Sequence, residues 1–431
     1  MKTIKLYENN AYLRYCDAVV TLVCDEHPSD PKCEQMYTVC FDQTVFFPEG
    51  GGQSSDTGKA WMADAPEHEY QVTDVQIKDG IVYHVLTGSG KAPEPGDRMT
   101  LKIDWKHRFD NMQRHLGVPI LSGAFYRLYG LVNKGFHMGE DFITIDLAPD
   151  SDVQERMGLF HYDHVTWEMA ETAELDANRV IWNDSPVTRS HFDTREEAEK
   201  LPLRKHLTFD EDISVITVGD PSDPDDCVNC CGTHPSSAGQ VGLIKIYKIE
   251  PNKGMSRISL ECGERAFRHY QSRHDALYDI SCDLSAGFDD IRKKYSAFRE
   301  KNSELHNRIY ALTQRIVKNE AISIQSSDER TEIRRYDDLT VSDLLLLVKQ
   351  LDRVASDKAD QGEDSSFPEL IILVSSSENT AILTSKTCDC GMLVKENAPA
   401  FSGRGGGKAH MARVMFDSYD DLNRFIDKIT S

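Results

Sequence analysis

The chain has 431 residues, of which 39% are hydrophobic, and this length predicts a globular protein of two to four domains. Its formal net charge of −22 argues against a general nucleic-acid coat, although it leaves room for a local basic groove. No apolar stretch approaches the ~20 residues that a membrane span needs, and the first residues lack the apolar core of a secretory signal. We therefore expect a cytoplasmic protein without a membrane partner, whose 11 cysteines are mostly reduced thiols.

Residues 1–100 are predicted to be all-β. Two apolar segments flank Asp79-Gly80, a dipeptide that is typical of the tight turn in a β-hairpin. Apolar residues alternate over 99–105 as in a further strand, and residues 45–53 are interpreted as a strand that runs into a glycine-rich turn.

Residues 101–263 are predicted to mix helices and strands. The spacing of Phe109, Met112 and Leu116 indicates one side of a helix, and residues 165–182 indicate a second helix. Strands are predicted around a loop that is rich in cysteine and histidine, at 213–218, 242–249 and 256–260.

Residues 264–322 are predicted to form a helical spacer. Apolar residues recur at alternating three- and four-residue spacing over 288–316, with Asn302 as the one polar member of this seam. The seam is typical of two arrangements: an antiparallel hairpin with residues 264–282 of the same chain, or a coiled coil that makes a homodimer. We favour the hairpin, because four heptads are near the minimum for inferring a coiled coil.

Residues 323–431 are predicted to form a last domain of mixed helix and strand. A helix is expected at 344–354, and strands at 370–374, 381–384 and 392–394. The glycine-rich segment 403–412 carries Arg404 and Lys408. It is consistent with a solvated loop or with a nest of backbone N–H groups that binds phosphate with cationic support.

A metal-ligand pattern connects two distant parts of the chain. Cys230 and His234 lie four residues apart in the run Cys-Cys-Gly-Thr-His, and His115 lies far upstream. Thiolate and imidazole are ligands that zinc prefers, and three protein ligands with one open position make the catalytic arrangement. Neither burial nor turn chemistry requires two thiols and an imidazole within five residues, so this motif is the most specific one in the chain.

Several motifs in one order together resemble the editing domain of alanyl-tRNA synthetase and of its freestanding relatives. Residues 46–58, Phe-Phe-Pro-Glu-Gly-Gly-Gly-Gln-Ser-Ser-Asp-Thr-Gly, resemble the glycine-rich signature of that family. The two halves of the editing core are similar to residues 111–146 and 230–234, and residues 403–412 resemble the glycine-rich C-terminal domain of the synthetase. The resemblance covers nearly the whole chain.

This resemblance implies an α+β protein with four parts. They are a β-barrel-like domain (1–100), an editing core with a zinc site (101–263), a long helical hairpin or coiled-coil spacer (264–322) and an α/β domain that contacts tRNA (323–431). The implied activity is the ATP-independent hydrolysis of the ester that joins a wrong amino acid, serine or glycine, to alanine tRNA. The implied cofactor is zinc on His115, Cys230 and His234.

The resemblance also implies roles for residues around the tRNA. Gln53 and His137 are expected to act with His115 at the 3′ end of the tRNA. Gly51, Gly52 and Gln53 are expected to bind this end as substrate, and the tRNA body is expected to contact Arg404 and Lys408.

The chain departs from the family pattern at Pro119. The family has two histidines four residues apart on a helix, and here the first is His115 whereas the second position is proline, which cannot bind zinc. Proline inside a helix also removes a backbone hydrogen bond, so the helix is expected either to restart at Pro119 or to kink there. Val118 is apolar where relatives usually carry a polar side chain. Zinc is then held by three ligands, or Cys227 or Cys231 replaces the missing one, or the metal is lost.

Two other classes of function remain open at this point. The chain could be a catalytically impaired tRNA-binding module derived from an editing enzyme. It could also be a structural zinc protein that binds metal through Cys227, Cys230, Cys231 and His234.

Overall fold

The computed structural model describes residues 2–25, 35–88, 92–207, 210–360 and 367–431. The chain divides into two compact units, Met1–Tyr278 and Asp279–Ser431. Both units mix helices and strands, as predicted. The predicted four-part division, with its boundaries at 100, 263 and 322, stays a prediction. None of the helices in the described ranges combines the length and apolar character that a bilayer-crossing segment needs.

The first unit begins with a closed six-stranded barrel, in the strand order β2-β3-β7-β6-β5-β8. The barrel-like prediction for this region is therefore confirmed. A short parallel pair, β1 with β4, lies outside the barrel. The elements are β1 (Ile4–Lys5), α1 (Leu6–Asn9), β2 (Tyr15–Asp25), β3 (Gln35–Phe41), β4 (Gln43–Thr44), β5 (Gly58–Met62), β6 (Glu69–Lys78), β7 (Ile81–Gly88) and β8 (Arg98–Ile103).

The hairpin between β6 and β7 shows how local sequence determines the barrel. Asp79 and Gly80 have φ angles of 52° and 76°, both in the left-handed region. A two-residue turn with positive φ at both positions matches the twist of the flanking strands, and glycine and aspartate tolerate this conformation. The inward-facing residues Val72, Val75 and Val82 are almost fully buried in the barrel core.

The rest of the first unit packs helices against two antiparallel sheets, in the orders β14-β15-β10-β9 and β11-β12-β13. The largest apolar cluster of the unit joins α2 and α4 to the first of these sheets. The elements are α2 (Trp105–Tyr129), β9 (Leu131–Met138), β10 (Ile143–Pro149), α3 (Ser151–Arg156), α4 (Trp167–Trp182), β11 (Val187–Thr194), α5 (Arg195–Ala198), β12 (Glu211–Asp220), β13 (Asp223–Asn229), β14 (Ile244–Asn252), β15 (Met255–Cys262) and α6 (Gly263–Asp283).

The second unit contains a five-stranded sheet in the order β16-β17-β18-β20-β19, in which only β16 and β17 are parallel neighbours. The elements are α7 (Ile291–Gln325), β16 (Thr331–Tyr336), α8 (Val341–Asp360), β17 (Leu370–Ser375), β18 (Thr380–Thr384), α9 (Cys390–Asn397), β19 (Arg404–Lys408), β20 (Met411–Met415) and α10 (Tyr419–Thr430).

Two predictions for this unit are wrong. Residues 392–394 lie in helix α9, not in a strand, because the Asp389 carboxylate caps the helix by accepting from the backbone N–H of Met392 at 2.9 Å. The glycine-rich segment is a β-hairpin and not a loop or a nest of N–H groups. Its glycines allow close approach, since a Cβ atom on Gly405 would lie 2.2 Å from the carbonyl oxygen of Arg413.

The apolar seam of α7 is exposed. Tyr295, Phe298, Leu305, Ile309 and Leu312 each keep between 46% and 60% of their surface accessible. The intrachain hairpin and the homodimeric coiled coil both stay predictions.

Candidate metal centre

His115 projects from the middle of α2 and is almost completely buried. The helix begins where the Asp104 carboxylate accepts hydrogen bonds from the backbone N–H groups of Lys106 and His107. It ends at Gly130, whose φ of 63° provides the left-handed termination that glycine favours. Strong signals at both ends define a 25-residue helix with His115 in its interior.

Pro119 lies one turn after His115 without interrupting the helix. Residues Trp105–Tyr129 form one continuous helix, so the predicted restart at Pro119 does not occur. Because proline has no N–H group, the backbone carbonyl of His115 lacks its usual helical donor at this position. The proline ring and the Val118 side chain instead contribute to the wall of a pocket beside His115.

The second half of the centre follows β13 directly. The backbone N–H of Cys230 donates to the carbonyl of Ser214 at 2.9 Å, which ties the start of the loop to the neighbouring strand. The loop then turns through Gly232 and brings His234 into the interior, where it is 8% exposed. Strand β13 therefore fixes the position of both ligands.

The structure brings His115, Cys230 and His234 together. Their potential ligand atoms all lie within 4.8 Å of one another. The His115 Nδ1 to His234 Nε2 distance is 2.9 Å, and Cys230 Sγ lies 3.3 Å from His234 Nε2 and 3.6 Å from His115 Nδ1. Tetrahedral zinc with bonds of 2.0–2.3 Å places its ligand atoms about 3.3–3.7 Å apart, so the donor set fits zinc after a small adjustment.

The histidines have the protonation state that a metal ligand needs. Burial lowers the pKa of His115 to about 4, and burial also lowers the pKa of His234. Both rings are therefore neutral at neutral pH. His115 Nε2 lies 3.2 Å from the carbonyl oxygen of Gly51, and donation to this oxygen leaves the Nδ1 lone pair directed at the other two ligands.

The other cysteines of the motif lie outside this group. Cys227 is buried, and its Sγ lies 3.6 Å from the hydroxyl oxygen of Thr217. Cys231 is exposed. Within the described ranges, the only group of three or more potential ligands contains neither residue. This arrangement disfavours a closed structural site built from the local cysteines.

The glycine-rich loop connects the barrel to the metal centre. Gly51 and Gly52 have φ angles of 59° and 82°, and a Cβ atom on Gly52 would lie 2.7 Å from the Phe136 ring, so glycine is required there. The turn directs Gln53 inward, where it is fully buried. Gln53 donates to the Thr233 hydroxyl at 2.9 Å and accepts from the Thr233 backbone N–H at 3.0 Å.

These two hydrogen bonds attach the 230–234 loop to Gln53. Gln53 is adjacent to the centre through Thr233, whereas its predicted contact with the tRNA end stays a prediction. Gly51 contacts His115 directly through its carbonyl group. The loop also follows α2, since Asn111 donates to the Ser54 hydroxyl and His107 Nε2 lies 2.9 Å from the carbonyl of Ser55.

Substitution of Gly232 tests whether the 230–234 loop packs against His115 and Gln53. A Cβ atom at this position would lie 2.5 Å from His115 Cε1 and 2.7 Å from Gln53 Oε1. We expect Gly232→Ala to displace His115 and to weaken zinc binding by about 10–100-fold. A loss of this size is typical when the contacts that support a metal ligand are disturbed. Zinc competition with a chromophoric chelator measures this change.

Gly50→Ala is the matched control, because a Cβ atom there would meet only the carbonyl of Pro48 at 3.9 Å. It should bind zinc as the parent does. Equal zinc affinities for both alanine variants would show that the loop is not packed against His115 as described.

A pocket of about 240 Å³ opens beside two of the three ligands, His115 and Cys230. Its walls include His115, Cys230, Val118, Pro119 and Phe136, and the 204–207 segment closes its other side. This volume lies below the range of drug-sized sites, so the pocket is suited to a small group.

Two cations of the pocket wall, Arg204 and Lys205, were not identified from the sequence. Arg204 is nearly buried, and its Nε donates to the Asp226 carboxylate at 2.6 Å. Burial and the positive charge of Arg204 lower the pKa of Lys205. The adjacent run Arg204-Lys205-His206 was the only sequence signal for this wall.

The remaining predicted residues are not among the three clustered ligands. His137 is exposed on β9, two positions after Gly135 and next to Phe136, and it is not part of the pocket wall. Arg404 and Lys408 are exposed at the two ends of β19 in the second unit. The proposed roles of these three residues stay predictions.

Comparisons with known proteins agree with this architecture. The family model of class II (A) tRNA synthetases matches residues 2–107, and that of the threonyl and alanyl tRNA synthetase second additional domain matches residues 213–259. The alanyl-tRNA editing protein AlaX-L of Pyrococcus horikoshii is 27% identical over 95% of this chain and 93% of its own length.

Alanine–tRNA ligases are similar over a smaller share of their own length. The ligase of Methanothrix thermoacetophila is 31% identical over 61% of this chain and 27% of the ligase. That of Methanosarcina mazei is 28% identical over 95% of this chain and 42% of the ligase. The chain thus spans less than half of these ligases.

The comparisons thus relate the barrel to class II (A) tRNA synthetases and part of the mixed core to the second additional domain of threonyl and alanyl tRNA synthetases. Along almost its whole length the chain is similar to an alanyl-tRNA editing protein, and it matches the synthetase family models in two segments.

Proposed function

We propose that this protein is a zinc-dependent deacylase that hydrolyses the ester of mischarged alanine tRNA carrying serine or glycine. The observation that carries the proposal is the convergence of His115, Cys230 and His234 next to a small pocket that His115 and Cys230 line. The similarity to an alanyl-tRNA editing protein along almost the whole chain supports the choice of tRNA. We expect the protein to act in the cytoplasm.

A zinc ion bound by these three residues would supply Lewis-acid activation of the ester carbonyl or of an attacking water molecule. The role of the protein is to hold the reacting groups. The neutral imidazoles of His115 and His234 present lone pairs, and the loop that carries His234 is fixed by Gln53. Pro119, which stands where the family has a second histidine ligand, lines the pocket beside His115 and Cys230, so a zinc ion held by the three residues would keep one position open.

The pocket wall has the charge that ester hydrolysis needs. Negative charge develops on the carbonyl oxygen in the transition state, and fixed positive groups stabilise it. Lys205 and the paired Arg204 provide positive charge on one side of the pocket. Val118, Pro119 and Phe136 exclude water on the other side and restrict the pocket to a small aminoacyl group.

The test is the hydrolysis of Ser-tRNA(Ala), Gly-tRNA(Ala) and correctly charged Ala-tRNA(Ala) by the purified protein. We expect the first or second to be hydrolysed at least about tenfold faster than the third, since a difference of one small group between substrates changes transition-state binding by about 1–3 kcal/mol. Chelator treatment should abolish the activity, and added zinc should restore it. Binding of all three tRNAs without turnover by the zinc-loaded protein would contradict the proposal.

A further inference from the structure

The outer surface of the barrel carries a pair of lysines in an unusual position. Lys59 of β5 and Lys102 of β8 are directly opposite each other in an antiparallel pair, and both are exposed. Like charges directly opposite each other destabilise a sheet. Lys59 is partly compensated by Glu69 at 2.7 Å, whereas Lys102 makes no ion pair within the described residues. A bound anion would remove this repulsion.

Aromatic side chains flank the two lysines. Side chains two positions apart on a strand share a face, so Trp61 lies beside Lys59. Tyr15 of β2 is the partner of Lys102 on its other side, and it is 69% exposed. Lysines that alternate with accessible aromatic rings on a β-surface suit a nucleic-acid strand, because the cations attract phosphates and the rings stack on bases.

A groove continues from this face toward the start of α2. It encloses about 1000 Å³, and its walls contain Lys59, Lys102, Arg14 and Lys106. The Arg14 guanidinium lies 4.4 Å above the ring of Trp105. The wall has four cations and two acids: Glu69 pairs with Lys59, the Asp104 carboxylate accepts from the backbone N–H groups that it caps, and Lys106 lies 3.9 Å from Glu264 outside the wall. The groove is therefore locally positive in a chain of net charge −22.

The groove lies at a suitable distance from the metal centre. Lys106 and His115 are on the same helix, nine residues apart, which corresponds to about 14 Å along the helix axis and about two and a half turns, so their side chains point to opposite sides of α2. A stacked nucleic-acid strand rises about 3.4 Å per nucleotide, so about four nucleotides span this distance. A strand that ends at His115 must also pass around α2 to reach the groove, so it needs more nucleotides than the axial distance alone requires.

We propose that the groove at Lys59, Lys102, Arg14 and Lys106 binds the phosphate backbone of the acceptor end of the tRNA whose 3′ terminus occupies the metal centre. This inference rests on the proposed function for the identity of the RNA. The lysines position the backbone electrostatically, and Trp61 and Tyr15 contact unstacked bases or riboses. The groove thus adds a second contact that holds the acceptor end relative to the ester.

The experiment compares two double charge reversals in the full-length zinc-loaded protein. Lys59→Glu/Lys102→Glu changes the groove. Lys78→Glu/Lys253→Glu changes exposed lysines elsewhere in the same unit and alters the net charge equally. Binding of uncharged tRNA(Ala) is measured by filter binding from 50 to 200 mM salt. The KM and kcat for Ser-tRNA(Ala) are measured in parallel, and thermal melting verifies that all proteins are folded.

We expect the groove variant to bind tRNA at least about tenfold more weakly and the slope of log K against log salt to fall by about 2, because two phosphate contacts are lost. Its KM should rise while kcat stays within about twofold of the parent value. The control variant should bind as the parent does. Parent-like binding by the groove variant, equal losses in both variants, or a parent protein that binds no tRNA would overturn the inference.

This design separates the inference from the proposed function. If the parent protein binds tRNA through the lysine pair but hydrolyses no mischarged tRNA, the deacylase proposal fails whereas the groove stands. If it hydrolyses Ser-tRNA(Ala) with unchanged KM in the groove variant, the groove is wrong and the deacylase proposal stands. If a single-stranded DNA of equal length competes as well as tRNA, the groove is a general polyanion site and the inference is overturned.

Discussion

Replacing His115 by alanine should remove zinc and abolish deacylation. His115 is the only ligand contributed by α2, and its Nδ1 lies 2.9 Å from His234 Nε2 and 3.6 Å from Cys230 Sγ. Loss of a residue that merely supports a ligand lowers metal affinity or activity by 10–100-fold, so loss of the ligand itself should exceed ~100-fold. Zinc content by atomic absorption and single-turnover hydrolysis of Ser-tRNA(Ala) measure the two effects.

Cys227→Ala is the matched control for this experiment. Its thiol is buried beside Thr217 and is absent from the ligand group, so the variant should keep one zinc ion and most of its activity. A protein that keeps its zinc without His115 but loses it without Cys227 would instead contain a structural cysteine site.

Removal of one partner of the buried ion pair between Arg108 and Asp56 should strongly destabilise the first unit. Both side chains are completely buried, and Arg108 Nε donates to Asp56 Oδ1 at 2.9 Å. Arg108 also donates to the carbonyl groups of Ala11 and Val45, and Asp56 accepts from the backbone N–H of Phe47. This network ties α2 to the barrel and to the base of the glycine-rich loop.

We expect Arg108→Met to lower the free energy of unfolding by about 3–5 kcal/mol, because it leaves the Asp56 carboxylate buried without a counter-charge. The surface variant Arg127→Met breaks an ion pair with Asp176 that is about one-third exposed, so it should cost no more than about 1 kcal/mol. Urea unfolding gives both values.

The double variant Arg108→Met/Asp56→Asn should recover part of the loss, since the amide is neutral and can still accept from Phe47. Equal destabilisation by Arg108→Met and Arg127→Met would mean that the buried pair does not connect the barrel to the core.

Local sequence signals predicted the parts of the fold that local chemistry determines. Asp79-Gly80 forms the expected hairpin turn, because its conformation depends only on these two residues and their strands. The short segment 392–394 was assigned to a strand from its apolar character alone, whereas the Asp389 cap and the surrounding core select a helix. Short apolar runs do not distinguish the two structures.

The sequence predicts the metal ligands of the candidate site, because their residue types are those that bind zinc. His115, Cys230 and His234 have side chains that few structural roles require together, and the structure does bring them together. The buried roles of Arg108 and Asp56 could not be predicted, because neither residue type nor spacing reveals that two residues 52 positions apart meet in the interior. Arg204 and Lys205 were missed for the same reason.

The most direct test of the central claim is the X-ray absorption spectrum of the zinc-loaded protein. If zinc is bound by His115, Cys230 and His234, we expect one sulfur neighbour at about 2.3 Å and two imidazole nitrogens at about 2.0–2.1 Å from the zinc. A light atom should occupy the remaining position. Two or more sulfur neighbours, or a spectrum unchanged in His115→Ala, would contradict the account.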